Sequence, residues 1–180
     1  MPDHDNFLIL PKLHAAIEAS LRAQFSAMAL VEFYPTIGER LPLPAVILEV
    51  AEFDHGADPG TGELALVARV EARVCVDPLR PDADLLVREY AIRLAHFVQH
   101  KTWNLPITPA KLVGEIGEDS FKPALDSYTV WLVSWLHEIH VGSLHWPFDD
   151  QSGQHVHVAI FPAESASGQG EYEAIAGDAV

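Results

Sequence analysis

Histidine is the residue type with the most chemistry to offer in this chain: there are 10, and His137, His140, His145, His155 and His157 fall close together late in the sequence. Imidazoles bunched in this way are what zinc or iron sites are built from. If His137 and His140 share a strand, however, their odd spacing turns them to opposite faces, and they cannot hold one ion between them. His155 and His157 do share a face, and His145 could approach across a loop with Asp149 or Asp150 supplying oxygen. A metal-binding module or metal-dependent enzyme is therefore the alternative reading, set against histidines that are solvated or hydrogen-bonded, and no metal ligand is assigned.

Other reactive types are placed less suggestively. Glu115, Glu118 and Asp119 could do general acid/base work, but they stand in what reads as a charged, solvated turn. No G-x-S-x-G elbow occurs, Gly114 and Gly117 are not followed by Lys-Ser/Thr, and there is no G-x-G-x-x-G, so hydrolase and nucleotide chemistry have no motif to rest on. The single cysteine, Cys75, excludes an internal disulfide and a CxxC pair; lying in an alternating apolar segment, it reads as a buried thiol rather than a nucleophile. No catalytic residue and no cofactor is expected, and the chain reads as a non-enzyme.

Charge narrows the partners. The formal net charge is −15, every Lys and Arg lies at or before Lys122, and eight acids follow with no base among them. Such a surface repels phosphate backbones, which argues against ordinary nucleic-acid binding. The apolar runs Leu43 to Val50 and Tyr128 to Leu136 are too short to span a bilayer, and Asp3, His4 and Asp5 stand where a secretory signal would be basic and then apolar. The expectation is a chain made in the cytoplasm, with no membrane partner.

The elements that would position these residues are readable from periodicity. Leu13, Ile17 and Leu21 recur every four residues, which predicts a helix over Lys12 to Phe25 with Pro11 at its first position and a surface pair, Glu18 and Arg22. Phe33 to Pro44 is a Pro-rich loop, Ala45 to Val50 a short strand, and Asp54 to Gly62 a turn-rich link. In Glu63 to Val76, Leu64, Leu66, Ala68, Val70, Ala72, Val74 and Val76 point one way while Arg69, Glu71 and Arg73 point the other, so one face is buried and the other wet. Asp82 or Asp84 caps a helix to about Lys101 with Val87, Ala91, Leu94 and Val98 as its stripe. Lys111 to Gly117 reads as another strand. Asp126 to Val141 is the plainest strand: Tyr128, Val130, Leu132 and Leu136 alternate with Trp131, Val133, Trp135 and Ile139. Both of its faces are apolar, so a second layer or a neighbouring subunit has to cover the second one.

The fold class expected is α+β, a mostly antiparallel sheet of about four to five strands with two main helices on one face and an extended C-terminal tail. The domain would occupy 1–142. The remainder, 143–180, would hold one strand over His155 to Phe161 and then a flexible acidic tail.

This order of elements, with PAVILEV, ELALVARVEARVCV, DLLVREYAIRLAHFVQHKTWN and DSYTVWLVSWLHEIHVG in sequence, resembles the tail-terminator (tail-completion) proteins of long-tailed, especially contractile-tailed, bacteriophages. The similarity spans Leu8 to Gly142. It implies a structural virion protein at the tail–neck junction, a homo-oligomeric, hexameric ring that caps the tail tube and stops its polymerisation. Its partners would be the tail tube and sheath proteins and a neck or head-completion protein. Six copies would carry on the order of −90, a sign that lets DNA pass through the lumen without specific binding. The subunit-interface candidates under this reading are Trp131, Trp135, His137 and Ile139 on the late strand and Asp54, His55 and Asp58 in the turn-rich loop. Another head–tail connector or minor tail protein is the nearest alternative.

Overall fold

Leu13, Ile17 and Leu21 are fully buried along one side of α1 (Ile9–Gln24), as a four-residue apolar spacing requires of a helix laid on a sheet. The computed structural model describes residues 9–37, 40–119 and 123–143, together with the backbone of 157–158 and 173–174. Helix α1 is already formed at Ile9, so Pro11 falls inside its first turn rather than opening it, where a missing N–H is still harmless.

Five strands follow: β1 (Leu30–Phe33), β2 (Ala45–His55), β3 (Leu64–Val76), β4 (Lys111–Glu118) and β5 (Thr129–Val141), with α2 (Ala83–Val98) between β3 and β4. They form one sheet in the order β1-β2-β3-β5-β4, antiparallel except for β1 beside β2. This is the expected α+β architecture, two helices packed on a mostly antiparallel sheet. The alternation read along β3 and β5 holds in the register: Val70, Ala72 and Val74 stand beside Trp135, Val133 and Trp131. All six join the helices in the main core, Trp131 from its margin.

The opposite face is less wet than alternation predicts. Parallel pairing of β1 with β2 needs a crossover, and the Pro-rich segment between them supplies it. Leu41 and Leu43 of that segment pack with Ala45, Ile47, Cys75, Leu125 and Val130 in a second, smaller core. Leu41 N–H donates to Tyr128 Oη at 2.9 Å, tying the crossover to the approach to β5. Cys75 is wholly buried there.

Strand β1 has no counterpart among the elements expected from the sequence. It is an edge strand, and its free backbone groups are covered by the very pair expected to be a surface ornament. Glu18 Oε1 accepts from Phe33 N–H at 2.7 Å, and Arg22 donates to Val31 O through Nε and Nη2 at 2.9 and 2.6 Å. An edge blunted in this way cannot template another chain. Replacing Glu18 with Ala orphans the Phe33 amide, and urea unfolding should show a loss of about 1–2 kcal/mol. An unchanged midpoint would mean that water replaces the carboxylate at no cost.

At the other edge, β4 is broken by a register shift between Val113 and Gly117, with Gly114 at φ 68°. Bulge, glycine and the charges of Lys111, Glu115 and Glu118 blunt it as well. Helix α2 ends at Val98 rather than Lys101, because His100 enters the left-handed region at φ 64° and its N–H turns to Ala110 O. Asp82 takes the N-cap position, but its carboxylate binds Arg80 instead of the helix amides. No helix among the described residues is long and apolar enough to cross a membrane.

The chain divides into two units, 1–145 and 146–180. In the second, β6 (His157–Val158) pairs antiparallel with β7 (Glu173–Ala174). The rest of the strand expected over His155 to Phe161, and the tail expected to be flexible, lie outside the described residues.

Candidate functional site

Three places in the first unit gather polar or reactive side chains. The first is set by β5, whose odd positions all face the helices. Past the end of α2 this row would be uncovered, but Trp103 and Asn104 adopt left-handed backbone, φ 57° and 58°, and Trp103 is itself buried there. Such a conformation is costly for a tryptophan, and the contact it makes is the compensation: Trp103 Nε1–H donates to His137 Nε2 at 2.8 Å. Trp135 Nε1–H, two residues along the strand, points at the same nitrogen from 3.1 Å.

Indole nitrogen can only donate, so His137 Nε2 must accept, which places the ring proton on Nδ1. Nδ1–H then donates to Thr108 O at 2.8 Å, and Thr108 Oγ1 accepts from Glu138 N–H. His137 is fully buried, and burial pushes its pKa below the ordinary 6.5 against the opposing pull of the Thr108 carbonyl. Both ring nitrogens are committed, which leaves no lone pair for a metal.

The second place is on the opposite face, where Arg73 binds Glu49 through Nη1, Glu71 through Nη2 and Asp119 through Nε. The Arg73 and Asp119 side chains are 9% and 3% exposed, so the guanidinium is held inside a ring of carboxylates. Burial works to lower the Arg73 pKa, and the hydrogen bonds and charges of the three acids outweigh it and raise it. Asp119 is thus a structural counter-ion, not a solvated acid. Glu115 and Glu118 lie on the broken edge strand β4 rather than in a turn.

The third place is the end of β2 and β3 that reaches past the helices. Phe53 stands beside Ala68 and His55 beside Leu66, so Phe53, His55, Leu64 and Leu66 share the helix-side face. Phe53 and Leu64 remain 45% and 52% exposed. Between the strands Gly56 N–H donates to Ala65 O at 2.9 Å, and a Cβ on Gly56 would meet that of Ala65 at 2.8 Å, so glycine is what lets the two strands close.

The interface candidates therefore separate. Trp135, His137 and Ile139 are at most 1% exposed and belong to the subunit interior; no other chain can reach them in this fold. Trp131 is half-buried beneath the Arg88 guanidinium, 4.8 Å from its ring centroid. Asp54, His55 and Asp58 are exposed on the projecting end. Of the late histidines, His140 lies 3.4 Å from Glu138 on the other face, and the side chains of His145, His155 and His157 lie outside the described residues. Among the described residues no group of three or more His, Cys, Asp or Glu side chains is arranged to hold a metal ion.

Trp103, Thr108 and the acids around Arg73 escape a reading of the sequence. The one signal was the polar row Arg69, Glu71 and Arg73 on an otherwise apolar strand. Compared with known proteins, the chain matches no family model, and no curated protein is similar to it.

Proposed function

We propose that this chain is a structural ring subunit of the tail-terminator kind. It would cap the tube of a long-tailed phage, end its growth and join it to the neck, with an acidic lumen through which DNA passes without adhering. The observation that carries the reading is the pairing of an internally satisfied sheet with a projecting end whose apolar residues, Phe53 and Leu64, remain 45% and 52% exposed. Polar groups that could have served chemistry are spent on structure: His137 on two indoles and a carbonyl, Arg73 on three carboxylates. The order of helices and strands along 9–141 supports the same reading, since it is the order on which the resemblance rests.

Particles assembled without this chain test the proposal. Tubes of uncontrolled length, unjoined to heads, are expected. Tails of normal length carrying heads would contradict it.

A further inference from the structure

Polar side chains of α1 hold β1 in place. Glu18 and Arg22 take its backbone at Phe33 and Val31. His14, one turn before Glu18, lays its ring flat on that of Phe33, with centroids 4.0 Å apart and planes 16° apart, while Tyr34 meets it edge-on at 5.5 Å. The third contact contains a polar atom for which the fold provides nothing: His14 Nε2 is buried and has no hydrogen-bond partner among the described residues. A neutral imidazole can leave that nitrogen bare at the cost of one unmade hydrogen bond. A protonated ring carries an N–H on both nitrogens and a full charge, which needs an acceptor or water.

Little near His14 answers that need. Burial outweighs the pull of Glu18 and keeps the His14 pKa below the ordinary 6.5. The other charges of α1, Lys12 and Arg22, are cations. On β1, Tyr34 Oη already accepts from Val50 N–H at 3.0 Å, and Glu32 is exposed on the face opposite Val31 and Phe33. β2 brings only Val46, Leu48 and Val50 to this core. A charged His14 that drew Glu18 over would take the acceptor from Phe33 N–H, and one that swung out to water would uncover the Phe33 ring. Both routes free the same end of β1. There Tyr34 sits in the left-handed region at φ 50°, a conformation costly for tyrosine and kept by its N–H to Leu48 O and its Oη to Val50.

We infer that the stack of His14 on Phe33 is an acid-released latch: proton uptake at His14 opens the contact of α1 with β1, and β1 leaves the sheet edge while the other four strands stay paired. The edge of β2 that β1 covers is then open to pairing with another strand, which the blunted edge refuses. The inference is independent of the ring reading.

Amide hydrogen exchange of the full chain between pH 7.5 and 5, expressed as protection relative to the intrinsic rate at each pH, tests it. Protection at Phe33 and Tyr34 should be level above pH 6.5 and fall below it by up to about tenfold per pH unit, the limit for linkage to one proton. The amides of β3 and β5, which open only with the whole fold, should stay far better protected throughout. In His14→Phe, which keeps a ring on Phe33 but takes up no proton, the two β1 amides should show no such fall. The His14 ring followed by NMR in the unaltered chain should titrate below 6.5. Protection at Phe33 and Tyr34 that holds or rises as pH falls, or a His14 ring that titrates at 6.5 or above, would show the charged ring kept in the stack and would overturn the latch. An equal fall in His14→Phe, or a loss in β3 and β5 in step with β1, would overturn it too.

Discussion

Arg73→Met should cost this protein about 3–5 kcal/mol of stability, the usual loss when one partner of a buried ion pair is removed and the other is left behind. Three carboxylates converge on this guanidinium, and the Asp119 side chain is almost wholly buried. Without Arg73 they repel one another in a poorly solvated space. Arg73→Lys should recover only part of the loss, since an ammonium cannot reproduce three separate N–H contacts in a plane. Urea midpoints of the two variants and the unaltered chain read both effects. A loss below about 1 kcal/mol would mean that water already screens the cluster.

The second large effect is expected at His137. Replacing it with Leu leaves the indole N–H groups of Trp103 and Trp135 and the carbonyl of Thr108 without their partner in the core. Each orphaned group costs about 1–3 kcal/mol, so the total should reach several kcal/mol. The same geometry sets a pH dependence. Burial lowers the folded-state pKa of His137, and that of His14 is lowered by burial against the pull of Glu18. Above the unfolded value of 6.5 both states are neutral and the stability contributed by the His137 contacts is fully present. As pH drops below 6.5 the unfolded chain takes up protons that the folded chain refuses, and stability falls until the depressed folded pKa is crossed. A protonated His137 would aim an N–H at two indole N–H groups. Thermal midpoints between pH 7.5 and 5 should therefore decline in the unaltered chain, and less steeply in His137→Gln, which cannot titrate. Equal slopes would show that His137 does not control the decline.

Much of the fold was legible because its elements obey one period over many residues. Leu13, Ile17 and Leu21 mark α1, Val87, Ala91, Leu94 and Val98 mark α2, and the alternation of β3 and β5 places Trp131, Val133 and Trp135 on the helix side. β1 was not legible: four residues with no internal repeat owe their strand conformation to β2 and to the clamp of Glu18 and Arg22. The two apolar faces of β5 left two covers open, another layer or another chain. In the structure Trp135, His137 and Ile139 are covered within the subunit, and Val130 is covered by the crossover before β2.

The contacts of His137 with Trp103 and Thr108 were hidden for a different reason. His137 and Trp103 are 34 residues apart, and what joins them is a left-handed turn at Trp103 that no local propensity announces. Asp119 could not be told from a solvated acid, because its partner Arg73 is 46 residues away. In each case a side chain of a reactive type became structural through a contact only the fold creates.

The place of the chain in an assembled particle is the most direct test of the ring reading. Electron cryomicroscopy of the virion neck should show a closed ring of this five-stranded fold on the last layer of the tail tube. A neck whose density holds no copy of this chain would contradict it.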